Sequence, residues 1–298
     1  MSNLNPVVVV LGLLIALSFG TSDFLSKDVT TKIGAYRTTV YILALSGIGT
    51  LVPSLFLGSS IVLSPWSLAV LLLVAASTYL SFAALYRAYS KGMLSLTAPI
   101  ANSYPAFSVV LSVLLIGASF TPVAMAAIAV IIAGIVLVST SFSELRARLS
   151  GGKMLAPGIG AAILAAIFFG ISWTSYGYAT RTFGYLVPSI AVRLGAAGIG
   201  FGLAPFLKED VRPRFIRSFP RLFAMAMLET TGVILFSLGA ILSATPDAVP
   251  VLATFGGISA AVTVLLAMYF LKERPEANHV VGMTLLIGGV AVLLYLTG

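Results

Sequence analysis

Two ionisable side chains stand where an apolar chain has little ordinary use for them. Arg193 lies nine residues into the apolar stretch 184–206, and Glu229 lies ten into the stretch 219–243. If both stretches are membrane helices, a rise of about 1.5 Å per residue puts the two charges roughly 13–15 Å deep, entered from opposite faces. In a hydrocarbon core about 30 Å thick, those depths nearly coincide. A charge at that depth is costly unless it is paired or wetted, and it marks a site for charged substrate groups or for a proton. Pairing of Arg193 with Glu229 is the simplest use of both. Glu229 is also the acidic residue nearest mid-membrane, which makes it the candidate proton carrier.

Aromatic residues form faces near these charges. Tyr79, Phe82 and Tyr86 fall at i, i+3 and i+7, and Phe169, Trp173 and Tyr176 fall at i, i+4 and i+7. Asn102, Ser103, Tyr104 and Phe107 add a mixed polar and aromatic run. Such stripes pack helices together, but a mid-membrane Tyr or Trp also needs a hydrogen-bond partner, which a polar cavity supplies. Walls of this kind suit a small molecule with an apolar or aromatic body and a polar end. Thr230, Ser237, Thr254 and Ser259 are candidates for its amino or carboxylate group, although small polar residues also serve as helix-packing contacts. Pro99 and Pro250, followed by Pro105 and by Gly256 and Gly257, are the candidate hinges, because proline removes a backbone donor and frees a carbonyl. Asp23 with Lys27 reads first as a helix-end pair and second as a gate. Arg37 and His279 read as interfacial.

Other chemistries lack their residues. There is no cysteine and one histidine, His279, so thiolate chemistry and multi-His metal sites are excluded. No G-x-x-x-x-G-K-[ST] phosphate loop occurs, and no Asp pair or Ser–His arrangement gathers at one depth. A cofactor, a bound metal and an enzymatic activity are therefore not expected.

The elements that would position these residues follow from composition. Of the 298 residues 59% are hydrophobic and 9% charged, against roughly 25% charged in soluble domains. This chain lacks the charge for a soluble shell, and its class is an all-α membrane protein. Apolar stretches place ten transmembrane helices at 6–26, 33–56, 66–90, 93–117, 122–142, 157–179, 184–206, 219–243, 247–271 and 277–297. The first has no basic residue ahead of it and no small-residue cleavage site, so it reads as a retained helix.

The net charge of +8 then becomes an orientation signal. Fifteen of the 17 basic residues fall in alternate connections: Lys27, Lys32 and Arg37; Arg87 and Lys91; Arg146, Arg148 and Lys153; Lys208, Arg212, Arg214, Arg217 and Arg221; Lys272 and Arg274. Arg181 and Arg193 are the two others. Basic loops stay cytoplasmic, so both termini are expected outside the inner membrane. Nucleic acid is not an expected partner. The expected partners are a small-molecule substrate and membrane lipid, with the chain acting as a monomer.

The second half echoes the first. Phe19-Gly20 matches Phe169-Gly170, Gly47-Ile48-Gly49 matches Gly198-Ile199-Gly200, and Ala98-Pro99-Ile100 matches Val249-Pro250-Val251, in order and at offsets near 150 residues. Five helices per unit is an odd number, so consecutive copies cross the membrane in opposite directions. This is the inverted-repeat plan of many secondary transporters, with a central cavity between the halves. The expected units are 1–142 and 157–298, joined by a linker at 143–156.

The segment YFLKERPEANHVVGMTLLIGGVAVLL at 269–294, an apolar helix ending in Glu-Arg-Pro before a glycine-bearing helix, resembles the end of an EamA domain of the drug/metabolite transporter superfamily. The first copy departs from it, with Ser119-Phe120-Thr121-Pro122 in the corresponding place. Within the superfamily the chain looks most like YddG-type aromatic amino-acid exporters. The resemblance implies export of amino acids or similar metabolites through a central cavity by alternating access. A sugar-phosphate or nucleotide-sugar exchanger of the same superfamily is the alternative, disfavoured because such substrates need several cations at depth. A membrane-embedded enzyme and a lipid-facing scaffold are the rivals from other classes.

Overall fold

The computed structural model describes residues 6–57, 64–91, 100–139, 158–184, 186–213, 216–242, 248–271 and 277–297. Among them the chain forms ten α-helices: α1 (Pro6–Ile33), α2 (Ala35–Leu57), α3 (Pro65–Lys91), α4 (Tyr104–Leu111), α5 (Pro122–Ser139), α6 (Ile159–Phe183), α7 (Leu186–Leu207), α8 (Phe219–Leu242), α9 (Ala248–Leu271) and α10 (Ala277–Thr297). No strand occurs among the described residues. Among the described residues five spans are long and apolar enough to cross a membrane: Pro6–Ile33, Pro65–Lys91, Ile159–Phe183, Val187–Leu207 and Phe219–Leu242. Pro99, the 143–156 linker and the Glu273-Arg274-Pro275 break lie outside the described residues, as do the side chains of Lys27, Pro250 and His279.

The helices are amphipathic in the sense opposite to soluble proteins. In α1, Val10, Leu13, Leu14 and Leu17 are exposed, while Ser18, Ser22, Ser26 and Thr30, spaced four apart, are buried. In water this arrangement would hide the wrong face. In lipid it is favourable, because apolar side chains meet hydrocarbon and small hydroxyls sit in helix contacts. Thr38, Thr50 and Ser81 follow the same rule, each buried and each donating its hydroxyl to the carbonyl four residues back. The polar atom is satisfied inside its own helix, where no water can do so.

The two halves interleave. α1 packs on α8 and α9, and α6 packs on α3 and α4. α3 meets α7, and α2 meets α8. α2 pairs with α7, and α5 pairs with α10. Replacing each helix by its counterpart five places along turns this set of pairs into itself, as a two-fold related duplication requires. The Phe-Gly repeat lies on that symmetry. A Cβ on Gly20 would stand 2.5 Å from the Ser259 carbonyl oxygen of α9, and one on Gly170 would stand 2.5 Å from Phe107 Cβ of α4. Glycine at these two places lets equivalent helices touch.

Two of the differences from the boundaries expected from apolarity have clear physical causes. α1 runs seven residues past the expected end at 26. Its last turns hold Asp28, bridged by Lys32 at 2.8 Å and by Arg221 of α8, so the polar turns stay helical until Gly34, whose φ is +89°. The fourth expected span is broken. A short helical turn ends at Ser103, and α4 begins at Tyr104 with Pro105 in its first turn. Pro105 has no N–H to give the Ala101 carbonyl, so a continuous ladder cannot form there. Beyond α4 the chain passes through a π-helical turn, Ser112–Ile116, and ends on Gly117 at φ +70°.

Candidate functional site

The break at Ser103 faces the middle of the bundle. There side chains of α1, α3, α4, α6, α8 and α9 converge on one narrow chamber. Its polar groups include Asp23 of α1, Tyr89 of α3, Asn102 before α4, Tyr104 of α4, Glu229 of α8 and Ser259 of α9. Phe19, Phe82, Phe169 and Trp173 supply the aromatic wall. A second, smaller chamber adjoins it behind Phe82, Phe169 and Trp173, and is lined by Thr78, Ser172, Tyr176 and Arg193 among others.

Arg193 and Glu229 join the two chambers. Arg193 Nη2 donates to Glu229 Oε2 at 3.2 Å, with both residues buried at 3% and 5% exposure. The guanidinium lies 5.2 Å from the Phe82 ring centroid, a cation–π contact. Its Nη1 is buried without a partner. Asp23 shares the first chamber with Glu229 and makes no ion pair among the described residues. Asp23 is thus a chamber residue ten positions inside α1. The expectation of a helix-end pair rested on the helix stopping early.

The aromatic residues pack in two groups, one around Trp173 and one around Phe169. Phe19 meets Trp173 at 5.5 Å between centroids, Trp173 meets Phe236 at 4.5 Å, Phe82 meets Phe169 at 5.3 Å, and Tyr104 meets Phe169 at 5.5 Å. Tilted and edge-on pairs of this kind fix one another's rotamers. Tyr176 shares a buried hydroxyl network with Ser189 at 2.5 Å and Ser237 at 2.6 Å, and those serines lie 3.2 Å apart. Across the second chamber the Thr78 and Ser172 hydroxyls bond at 2.7 Å.

The residues singled out in the sequence divide accordingly. Phe82, Asn102, Tyr104, Phe169, Trp173, Tyr176, Arg193, Glu229, Ser259, Gly256 and Asp23 line one or both chambers. Tyr86 packs behind Phe82 at 6.0 Å. Tyr79 packs between α3 and Gly200 of α7, away from both chambers. Ser237 bonds Tyr176 behind the wall, and Thr230 bonds the Ser46 carbonyl of α2 at 3.1 Å. Thr254 is fully buried in α9 outside either lining. Arg37 pairs with Asp210 at 2.7 Å, near the bundle end. Phe19, Tyr89, Thr78 and Ser172 were not singled out as site residues. Phe19 carried a signal, since it is the repeat partner of Phe169.

The EamA-like transporter family model matches residues 7–140 and again 156–295. A solved crystal structure of a protein shares the fold at a TM-score of 0.77 and 17% identity, over 97% of this chain and 96% of that chain. No curated protein matches the chain by sequence. Two successive matches that together span nearly the whole chain place it, as a multi-pass membrane transporter, in the EamA-like transporter family.

Proposed function

We propose that the chain is a ten-span secondary exporter, built as two inverted five-helix repeats, that moves amino acids across the inner membrane by alternating access. Neutral and aromatic amino acids are the favoured substrates, in the manner of the YddG-type exporters. The observation that carries the reading is the buried Arg193–Glu229 pair set in an aromatic-walled cavity between the halves. A guanidinium for a carboxylate, and the Glu229 and Asp23 carboxylates for an ammonium, beside apolar rings suit a small zwitterion with an apolar body. Among the described residues lining either chamber Arg193 is the one cation. A sugar phosphate or nucleotide sugar would bring more negative charge than one guanidinium offsets, so the amino-acid reading is preferred.

The break at Ser103–Pro105 and the proline- and glycine-bearing but unbroken Pro250–Gly256 region of α9 are the hinges of this scheme, and α1 and α6 rock with their partners in the opposite half. The basic loops face the cytoplasm and both termini face outward. The chain acts as a monomer, with lipid as its surroundings. Purified protein in proteoliposomes tests the substrate reading. Counterflow of labelled phenylalanine, competed by a panel of amino acids, should be saturable. Absence of saturable movement for every amino acid would overturn it.

A further inference from the structure

The Arg193 guanidinium is only partly used. A guanidinium carries five donor N–H groups in a fork that fits a carboxylate. Here one nitrogen, Nη2, donates to Glu229 at 3.2 Å, while Nη1 is buried and has no partner. The side chain lines the second chamber, so an unsatisfied donor set lies at that chamber's wall. The first chamber has the opposite character. Asp23 and Glu229 both line it, from α1 and α8, and no cation does so among the described residues. The Arg193–Glu229 bond is the seam between a chamber lined by the cation and one lined by two carboxylates.

A ligand that opens that seam must answer both sides. A buried ion pair tolerates replacement of both partners, but removal of one leaves an uncompensated buried charge. A lone carboxylate that captured Arg193 would strand Glu229, and a lone amine that captured Glu229 would strand Arg193. An α-amino acid head group strands neither. Its ammonium nitrogen and carboxylate carbon lie two bonds apart, roughly 2.5 Å at standard bond lengths. Inserted between the pair, it replaces the single 3.2 Å contact by one hydrogen bond of about 2.8 Å at each end, holding Arg193 and Glu229 apart with both still partnered.

We propose, building on the exporter reading above, that the Arg193–Glu229 pair is a stand-in for the substrate head group. The α-carboxylate takes Arg193 through Nη1 and Nη2, the α-ammonium takes Glu229 and Asp23, and the two internal charges separate as the zwitterion enters. The side chain of the substrate then lies against the Phe82–Phe169–Trp173 wall. Specificity for the head group comes from charge exchange, so both ends are required together.

The test uses the purified full chain in proteoliposomes. Labelled phenylalanine counterflow is competed with phenylalanine, with phenethylamine (no carboxylate) and with 3-phenylpropanoate (no amine). Each truncated analogue should compete at least about tenfold more weakly than phenylalanine in the unmodified protein. Arg193→Gln should abolish the preference for phenylalanine over phenethylamine, and Arg193→Lys should keep part of it. Asp23→Asn should narrow the preference over 3-phenylpropanoate. Size-exclusion elution checks that each variant is folded; where Arg193→Gln does not fold, the analogue series on the unmodified protein decides. Equal competition by phenylalanine and either analogue would overturn the head-group proposal and leave amino-acid export standing. Absence of phenylalanine movement with every other amino acid inert would overturn both.

Discussion

The hydroxyl of Tyr104 in α4 occupies the place where a Cβ on Gly256 of α9 would stand. Tyr104 opens the helix that follows the break at Ser103, Gly256 lies within the unbroken α9, and both line the first chamber. Contact between the two halves at this point is one hydroxyl resting on a bare backbone.

Gly256→Ala must therefore displace Tyr104, whose ring already leans on Phe169 at 5.5 Å. Overfilling a packed site of this kind costs about 1–3 kcal/mol, and the displaced ring moves into the cavity. Transport by Gly256→Ala is expected to fall severalfold in a proteoliposome flux assay. Adding Tyr104→Phe removes the colliding oxygen and should restore a large part of the flux. If the double variant is no better than the single one, the collision is not the cause.

The repeated Phe-Gly pair gives a stability prediction with its own control. Gly20→Ala and Gly170→Ala push a methyl against a neighbouring carbonyl oxygen and a neighbouring Cβ, each 2.5 Å away. Both are expected to lose about 1–3 kcal/mol. Gly202, in α7 with nothing within 4 Å of its would-be Cβ, should instead tolerate alanine or gain up to about 1 kcal/mol from its higher helix propensity. Thermal unfolding of the three variants in one detergent makes the comparison; equal losses at all three would mean that close helix approach is not what these glycines provide.

One end of the bundle is tied across the halves by polar contacts. Arg37 of α2 donates from Nε to the Asp210 carbonyl at 2.5 Å and from Nη2 to its carboxylate at 2.7 Å. Tyr41 donates to the Val211 carbonyl at 2.6 Å, and Arg221 of α8 pairs with Asp28 of α1. Exposed ion pairs are worth about 0–1 kcal/mol each, enough to bias access without deciding stability. In an alternating-access cycle, Arg37→Ala with Arg221→Ala should open this end more often. The chain has no cysteine, so a single Ser259→Cys in the first chamber reports accessibility. Its alkylation from the basic-loop side is expected to speed up severalfold in the double variant, and an unchanged rate would remove the clasp from the gating scheme.

Much of this was legible because lipid simplifies the code. Long apolar stretches cannot be anything but buried or lipid-facing, and a deep Arg and Glu in such stretches need each other, so the Arg193–Glu229 pair followed from depth alone. The repeat was readable for a similar reason: Phe19-Gly20 and Phe169-Gly170 are constrained by the same contact twice. What apolarity could not show was polar residues held inside a helix by neighbours from the other half. Asp23 was placed at a helix end because the sequence after it is polar, yet Asp28, Lys32 and Arg221 satisfy one another and carry α1 onward. Tyr79 and Tyr176 lie on similar aromatic stripes; only the rotation of each helix against its partners decides that one packs on Gly200 and the other lines a chamber.

The buried pair itself predicts a non-additive response. Taking away one partner leaves the other charged, buried and away from water, at a cost of about 3–5 kcal/mol. Arg193 would keep its Phe82 contact but lose its anion, and Glu229 would be left facing Asp23, a second carboxylate in the same chamber. Arg193→Met is therefore expected to be the more damaging single change, because it leaves two acidic groups together with no cation among the described lining residues. Glu229→Gln keeps the shape of the side chain and leaves Asp23 to offset Arg193, so its cost should be smaller. The double variant Arg193→Met with Glu229→Gln should be more stable than Arg193→Met alone, a reversal that additive packing losses cannot produce. Unfolding of the three variants in detergent reads this directly; a double variant that loses the sum of the two singles would mean that the 3.2 Å contact carries no coupling energy.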